Sequence, residues 1–93
     1  MDAASARRED LHASAQERVR SVLNAHGRLG RRVDELADGD DLYAAGMTSL
    51  ASVNVMLALE SEFDIEFPDQ MLNRSVFASI DAIAAAIERI QKA

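Results

Sequence analysis

Ser49-Leu50-Ala51-Ser52-Val53-Asn54-Val55-Met56-Leu57-Ala58-Leu59 is the stretch that decides how this chain folds. It opens a helix that runs to Phe63. Eight of the ten residues from Leu50 to Leu59 are apolar, interrupted only by Ser52 and Asn54. A helix packed on one side needs about three or four apolar residues in seven. Ser52, Val55, Met56, Leu59 and Phe63 supply such a face. Leu50, Val53 and Leu57 then lie toward the other side. Either the preceding connection covers them, or they stand open to a partner that reads a few apolar anchors on a helix.

Upstream, helical spacing begins near Leu11. Leu11, Ala15, Val19, Val22, Leu23 and His26 recur at intervals of three and four and form one amphipathic stripe. Gly27 follows and suits the left-handed position that ends many helices. Residues 28–47 keep no period. Leu29, Val33, Leu36, Leu42 and Tyr43 are spaced as anchors for a long loop, and loops of that length are usually functional. Asp38, Asp40 and Asp41 lack the spaced acids and closing Glu of a calcium loop, which leaves them as a solvated acidic run.

Downstream, Asp64 to Pro68 breaks the second helix, and Asp69 to Asn73 has room for one short helical turn. Ser79 caps a last helix through Ile90, with Asp81 in its positive first turn and Ile80, Ile83, Ala84, Ile87 and Ile90 as its buried stripe. The fold class is therefore all-α: three main helices, one short one, and a long loop between the first and second helices. Residues 1–8 are expected to be a flexible segment, and residues 9–93 to be the domain.

The chain has 93 residues, enough for one small core and little room for a deep substrate cleft beside it. It holds no cysteine, so any thiol chemistry must be brought by a cofactor. Only His12 and His26 are histidines, which leaves no expected metal site. Net charge is -6, unevenly spread: Met1 to Val33 carries seven Arg against four acids, and Asp34 to Ala93 carries three basic residues against twelve acids. An acidic body disfavours nucleic acid and anionic membrane and favours basic protein partners, or else serves solubility alone. No run approaches a membrane span and Met1 to Glu9 lacks a signal-peptide core, so a cytoplasmic monomer is expected.

Ser49 opens the over-apolar helix. Serine at a helix start is commonly only a cap, and here Thr48 or Ser49 can fill that role. The context adds more. Gly46-Met47-Thr48-Ser49-Leu50 sets the serine between a flexible glycine and an apolar anchor, with Met47, Leu50 and Leu57 as an apolar rim. A helix start offers free amides and about half a positive charge, which suits a phosphodiester. No general base lies near in sequence and the segment is not Gly-x-Ser-x-Gly, so Ser49 reads as a site modified by another enzyme and not as a catalyst.

Asp41-Leu42-Tyr43-Ala44-Ala45-Gly46-Met47-Thr48-Ser49-Leu50, followed by Met56-Leu57-Ala58-Leu59-Glu60 and Glu62-Phe63-Asp64-Ile65-Glu66-Phe67-Pro68, resembles the acyl carrier protein family from about Val19 to Ile90. That resemblance implies 4'-phosphopantetheine on Ser49, moved from coenzyme A by a phosphopantetheinyl transferase, with cargo held as a thioester on the arm's thiol. It also implies a carrier and not an enzyme. Two departures stand out. Most members carry Asp before the serine, where this chain has Thr48. Carriers of fatty acid synthesis have acids two and five residues after it, where this chain has Ala51 and Asn54.

The weakly charged helix is most similar to stand-alone aminoacyl carrier proteins. They are loaded with a small amino acid, such as glycine or alanine, by amino acid:carrier protein ligases that resemble seryl-tRNA synthetases. The resemblance leaves the downstream acceptor open. Met47, Thr48, Leu50, Asn54 and Leu57 form the expected partner face. The alternatives are a carrier of a fatty acid or secondary-metabolite pathway, a helical interaction module without cofactor, and, remotely, a small hydrolase built on Ser49.

Overall fold

The computed structural model describes residues 3–92, with side chains from Ala15 onward. Three helices carry the structure: α1 (Ala3–His26), α2 (Ser49–Phe63) and α3 (Ile80–Lys92). Three short 3-10 turns lie between them, at Val33–Glu35, Asp69–Met71 and Arg74–Phe77. α1 packs against both α2 and α3, and the third turn packs against α3. The short turn expected within Asp69 to Asn73 is the one at Asp69–Met71, and a further turn at Arg74–Phe77, not expected, ends on the buried Phe77.

α1 begins at Ala3, well before its apolar stripe. Ala3, Ala4, Ala6, Arg7 and Arg8 are strong helix formers that extend a helix without needing a buried face. The flexible segment expected at residues 1–8 falls on residues whose side chains lie outside the description. The stripe itself buries Val19, Val22 and Leu23, while His26 stays exposed.

The end of α1 differs from the expectation at Gly27. The left-handed residue is Arg28, at φ 53°. Gly27 instead continues the helical pattern, its amide donating to the Leu23 carbonyl at 2.8 Å. A Cβ at Gly27 would sit 2.8 Å from that same oxygen, so close approach and not handedness calls for glycine.

The connection at 27–48 is long, but it is tied down throughout. Val33, Leu36 and Leu42 are buried and Leu29 and Tyr43 half-buried, as their spacing predicted. The Arg20 guanidinium reaches over from α1 and donates to the carbonyls of Val33 (2.7 Å) and Leu36 (2.8 Å) and to the Asp38 carboxylate (2.7 Å). The Leu42 amide donates to the Ala78 carbonyl at 2.7 Å, and the Asp81 amide to the Asp38 carbonyl at 2.9 Å. Both bonds fasten the connection to the start of α3. The acidic run serves its own backbone: Asp40 accepts from the Ala37 amide and Asp41 from the amides of Tyr43 and Ala44.

The core gathers Val19 and Leu23 of α1, Val55 and Leu59 of α2, Ile80, Ile83 and Ile87 of α3, and Leu42 from the connection. Phe67 and Phe77 pack at its lower edge with ring centroids 5.2 Å apart and tilted by 60°. α3 starts on the predicted cap, Ser79 Oγ accepting from the Ala82 amide at 3.0 Å. Its stripe also includes Ala86, and Ile90 is half-buried at the margin.

Candidate functional site

Local geometry at the start of α2 follows from two residues. Gly46 sits at φ +117°, a conformation that side-chain-bearing residues avoid, and a Cβ there would lie 2.9 Å from the Gly30 nitrogen. The Gly30 amide donates to the Ala45 carbonyl at 3.0 Å, so the two ends of the connection touch just before the helix begins. Thr48 then takes extended angles and caps α2, its Oγ1 accepting from the Ala51 amide at 3.0 Å.

This division of roles matters for Ser49. Because Thr48 supplies the cap, the Ser49 hydroxyl is not needed for it. Ser49 is the first helical residue and is exposed. In any helix the first amides have no intrahelical partner. An anion esterified to Ser49 Oγ would lie beside those of Ser49 and Leu50, in the positive field of the helix start. The residues present therefore fit a phosphodiester.

Around this point the expected partner face divides. Leu50 is 74 % exposed and Leu57 53 % exposed, and Thr48 and Asn54 are also at the surface. Met47 is a correction: it is only 3 % exposed and belongs to the core, so it forms no part of the rim. The turn at Gly46 sends the chain inward before the helix starts, and the Met47 amide donates back to the Leu42 carbonyl at 3.0 Å. The connection does not cover α2's outer side. Ala51 rather than Ser52 faces the core, and Ser52 donates its hydroxyl to the Ser49 carbonyl at 2.7 Å.

The two acids left on α2 are already engaged. Glu60 accepts from the Phe67 amide at 3.0 Å. Glu62 pairs with Arg18 at 2.8 Å, and the Arg18 guanidinium also lies 4.1 Å from the Phe63 ring centroid. The surface from Leu50 to Leu57 is thus mostly apolar and carries no charge.

On the other flank of Ser49 an open groove of about 320 Å³ runs between α2 and the segment at 72–77. Ser49, Ser52, Val53, Tyr43, Leu72 and Arg74 border it. Leu72 and Arg74 were not singled out from sequence, and Tyr43 only as an anchor of the connection. The available signal was that Arg74 is the sole Lys or Arg between Asp34 and Glu88.

Residues 19–87 match the sequence family described as Phosphopantetheine attachment site. The chain belongs to this family of carrier proteins. It is accordingly a phosphopantetheine-dependent carrier, not a catalyst. An aminoacyl carrier protein of Agrobacterium fabrum (strain C58) is 53% identical over 72 residues, which is 77% of this chain and 87% of the relative. A carrier protein from Agrobacterium tumefaciens, crystallised with an engineered Bradyrhizobium japonicum glycine:[carrier protein] ligase and ATP, superposes with a TM-score of 0.80 at 50% identity. The match covers 82% of this chain and 99% of that one. A holo acyl carrier protein from Nitrosomonas europaea, solved by NMR, gives a TM-score of 0.76 at 28% identity, covering 86% and 99% of the two chains. Among the described residues, no helix is long and apolar enough to cross a membrane.

Proposed function

We propose that Ser49 carries 4'-phosphopantetheine, installed from coenzyme A by a phosphopantetheinyl transferase, and that the arm holds a small amino acid, glycine foremost, as a thioester. The observation that carries this reading is the exposed Ser49 hydroxyl at the first turn of α2, with the capping duty taken by Thr48. The bound group supplies the thiol that this cysteine-free chain lacks. The chain's own part is attachment and address. The amides at the start of α2 favour the anionic ester, and Leu50, Asn54 and Leu57 present a neutral face to the enzyme that loads the arm.

Support for the cargo comes from the aminoacyl carrier protein relative and from the carrier chain crystallised with a glycine:[carrier protein] ligase. The neutral face of α2 agrees with it. Charges at such a rim mainly set encounter rate and partner choice, and a basic synthase surface has little to read here. A ligase of the type that resembles seryl-tRNA synthetases is the proposed loading partner.

Intact-mass measurement tests both halves. Incubation with coenzyme A and a broad-specificity transferase adds one phosphopantetheine to the wild type and none to Ser49→Ala. The holo form with glycine, ATP and the ligase then gains one glycyl group. Unchanged mass with several transferases overturns the attachment. Loading by a fatty acid malonyl transferase in place of the ligase overturns the aminoacyl cargo.

A further inference from the structure

The groove beside Ser49 is bordered by one cation, Arg74. Arg74 is exposed and takes part in no salt bridge among the described residues. Its guanidinium lies 3.8 Å over the centroid of the Tyr43 ring. A guanidinium lying flat on a ring keeps its in-plane N–H donors available, an arrangement suited to an oxyanion. The backbone there is fixed as well. Asn73 caps the turn, its Oδ1 accepting from the Val76 amide at 3.2 Å and from the Ser75 hydroxyl at 2.6 Å, and Phe77 anchors the far end in the core.

The charge pattern sharpens the point. Between Asp34 and Glu88 the chain carries twelve acids and a single basic residue, Arg74. A field of that sign opposes any anion attached to this body. The one basic side chain in that span borders the same groove as Ser49. The amides at the helix start and the guanidinium of Arg74 thus belong to one groove, the one that Ser49 itself borders.

Building on the proposed attachment, the geometry points to Arg74 as the residue that holds the phosphodiester of the arm, with Tyr43 as its platform. Arg74 is a positioning residue: it touches the arm's phosphate and takes no part in bond making.

The single phosphorus of the holo protein reports this directly. Its 31P resonance in folded wild type is expected to be displaced from its position in the same protein unfolded in urea. In Arg74→Gln the displacement shrinks by more than half. Arg74→Lys, which keeps the charge but not the planar stack, retains part of it, and Tyr43→Leu behaves in the same way. Added salt moves the wild-type resonance toward the unfolded position and leaves Arg74→Gln unmoved. Full displacement retained in Arg74→Gln overturns the proposal, and so does a wild-type resonance that ignores salt. The salt titration needs no variant, so a wild-type resonance that ignores salt overturns the proposal even where a substitution disturbs folding. If no phosphorus is incorporated at all, the attachment on Ser49 has failed, which intact mass reports separately.

Discussion

Replacing Arg20 by Ala removes a side chain that ties α1 to the long connection at three points. Two of its bonds go to main-chain carbonyls, those of Val33 and Leu36, at 2.7 and 2.8 Å. Hydrogen bonds from a charged donor contribute about 1.5–3 kcal/mol each. The third partner, Asp38, has a side chain 45% exposed, so that ion pair adds no more than about 1 kcal/mol. The three contacts share one guanidinium and do not sum in full, which sets the expected loss at about 3–4 kcal/mol. In a domain of this size each kcal/mol lowers the melting temperature by roughly 4–8 °C.

Urea unfolding followed by circular dichroism is the assay. The midpoint is expected to fall with little change in slope, the signature of lost stability rather than altered compactness. Arg20→Lys is the informative control. It keeps the charge but lacks the rigid fork that spans separate acceptors, so it is expected to lose at least half as much. The reasoning is refuted by an Arg20→Ala variant within about 1 kcal/mol of wild type, or by a Lys variant indistinguishable from wild type.

Two further substitutions separate helix stability from recognition. Thr48→Ala is expected to cost about 1 kcal/mol through loss of the cap on the Ala51 amide, whereas Thr48→Asp keeps the cap and places a negative charge favourably at the helix start. Thermal melts of the pair check this. Leu57→Glu acts on an exposed side chain, so stability is expected to stay within about 0.5 kcal/mol of wild type. The KM for ligase loading of that variant is expected to rise about tenfold, equivalent to ~1.4 kcal/mol of docking energy, while loss of helicity would place Leu57 in the core instead.

The elements written in apolar spacing were legible. α2 and α3 start where their caps predict, and the anchors Val33, Leu36 and Leu42 are buried as their spacing implied. An excess of apolar residues beyond one face set Leu50, Val53 and Leu57 apart as either covered or open, and the structure has them open. Met47 was misassigned because nothing in a side-chain pattern reveals that the backbone reverses at Gly46. Ala51 takes the inward place expected of Ser52 because Ala51, Val55 and Leu59 recur every four residues on one face, and in so apolar a helix the spacing alone fits more than one face. The Arg20 clamp was invisible for another reason: two of its three acceptors are carbonyls, which every residue has and no sequence distinguishes. The groove beside Ser49 depends on the stacking of Arg74 on Tyr43, residues thirty-one positions apart.

The contact between Gly30 and Gly46 has a consequence for how cargo is delivered. It pins the root of the proposed arm, so the tip sweeps a volume set by the arm's own length and by how firmly its phosphate is held. The concentration of cargo that a docked enzyme experiences is then a fixed property of the tether, falling steeply for any pocket beyond its span. Loosening that pivot would dilute the load in space without altering a single atom that any enzyme touches.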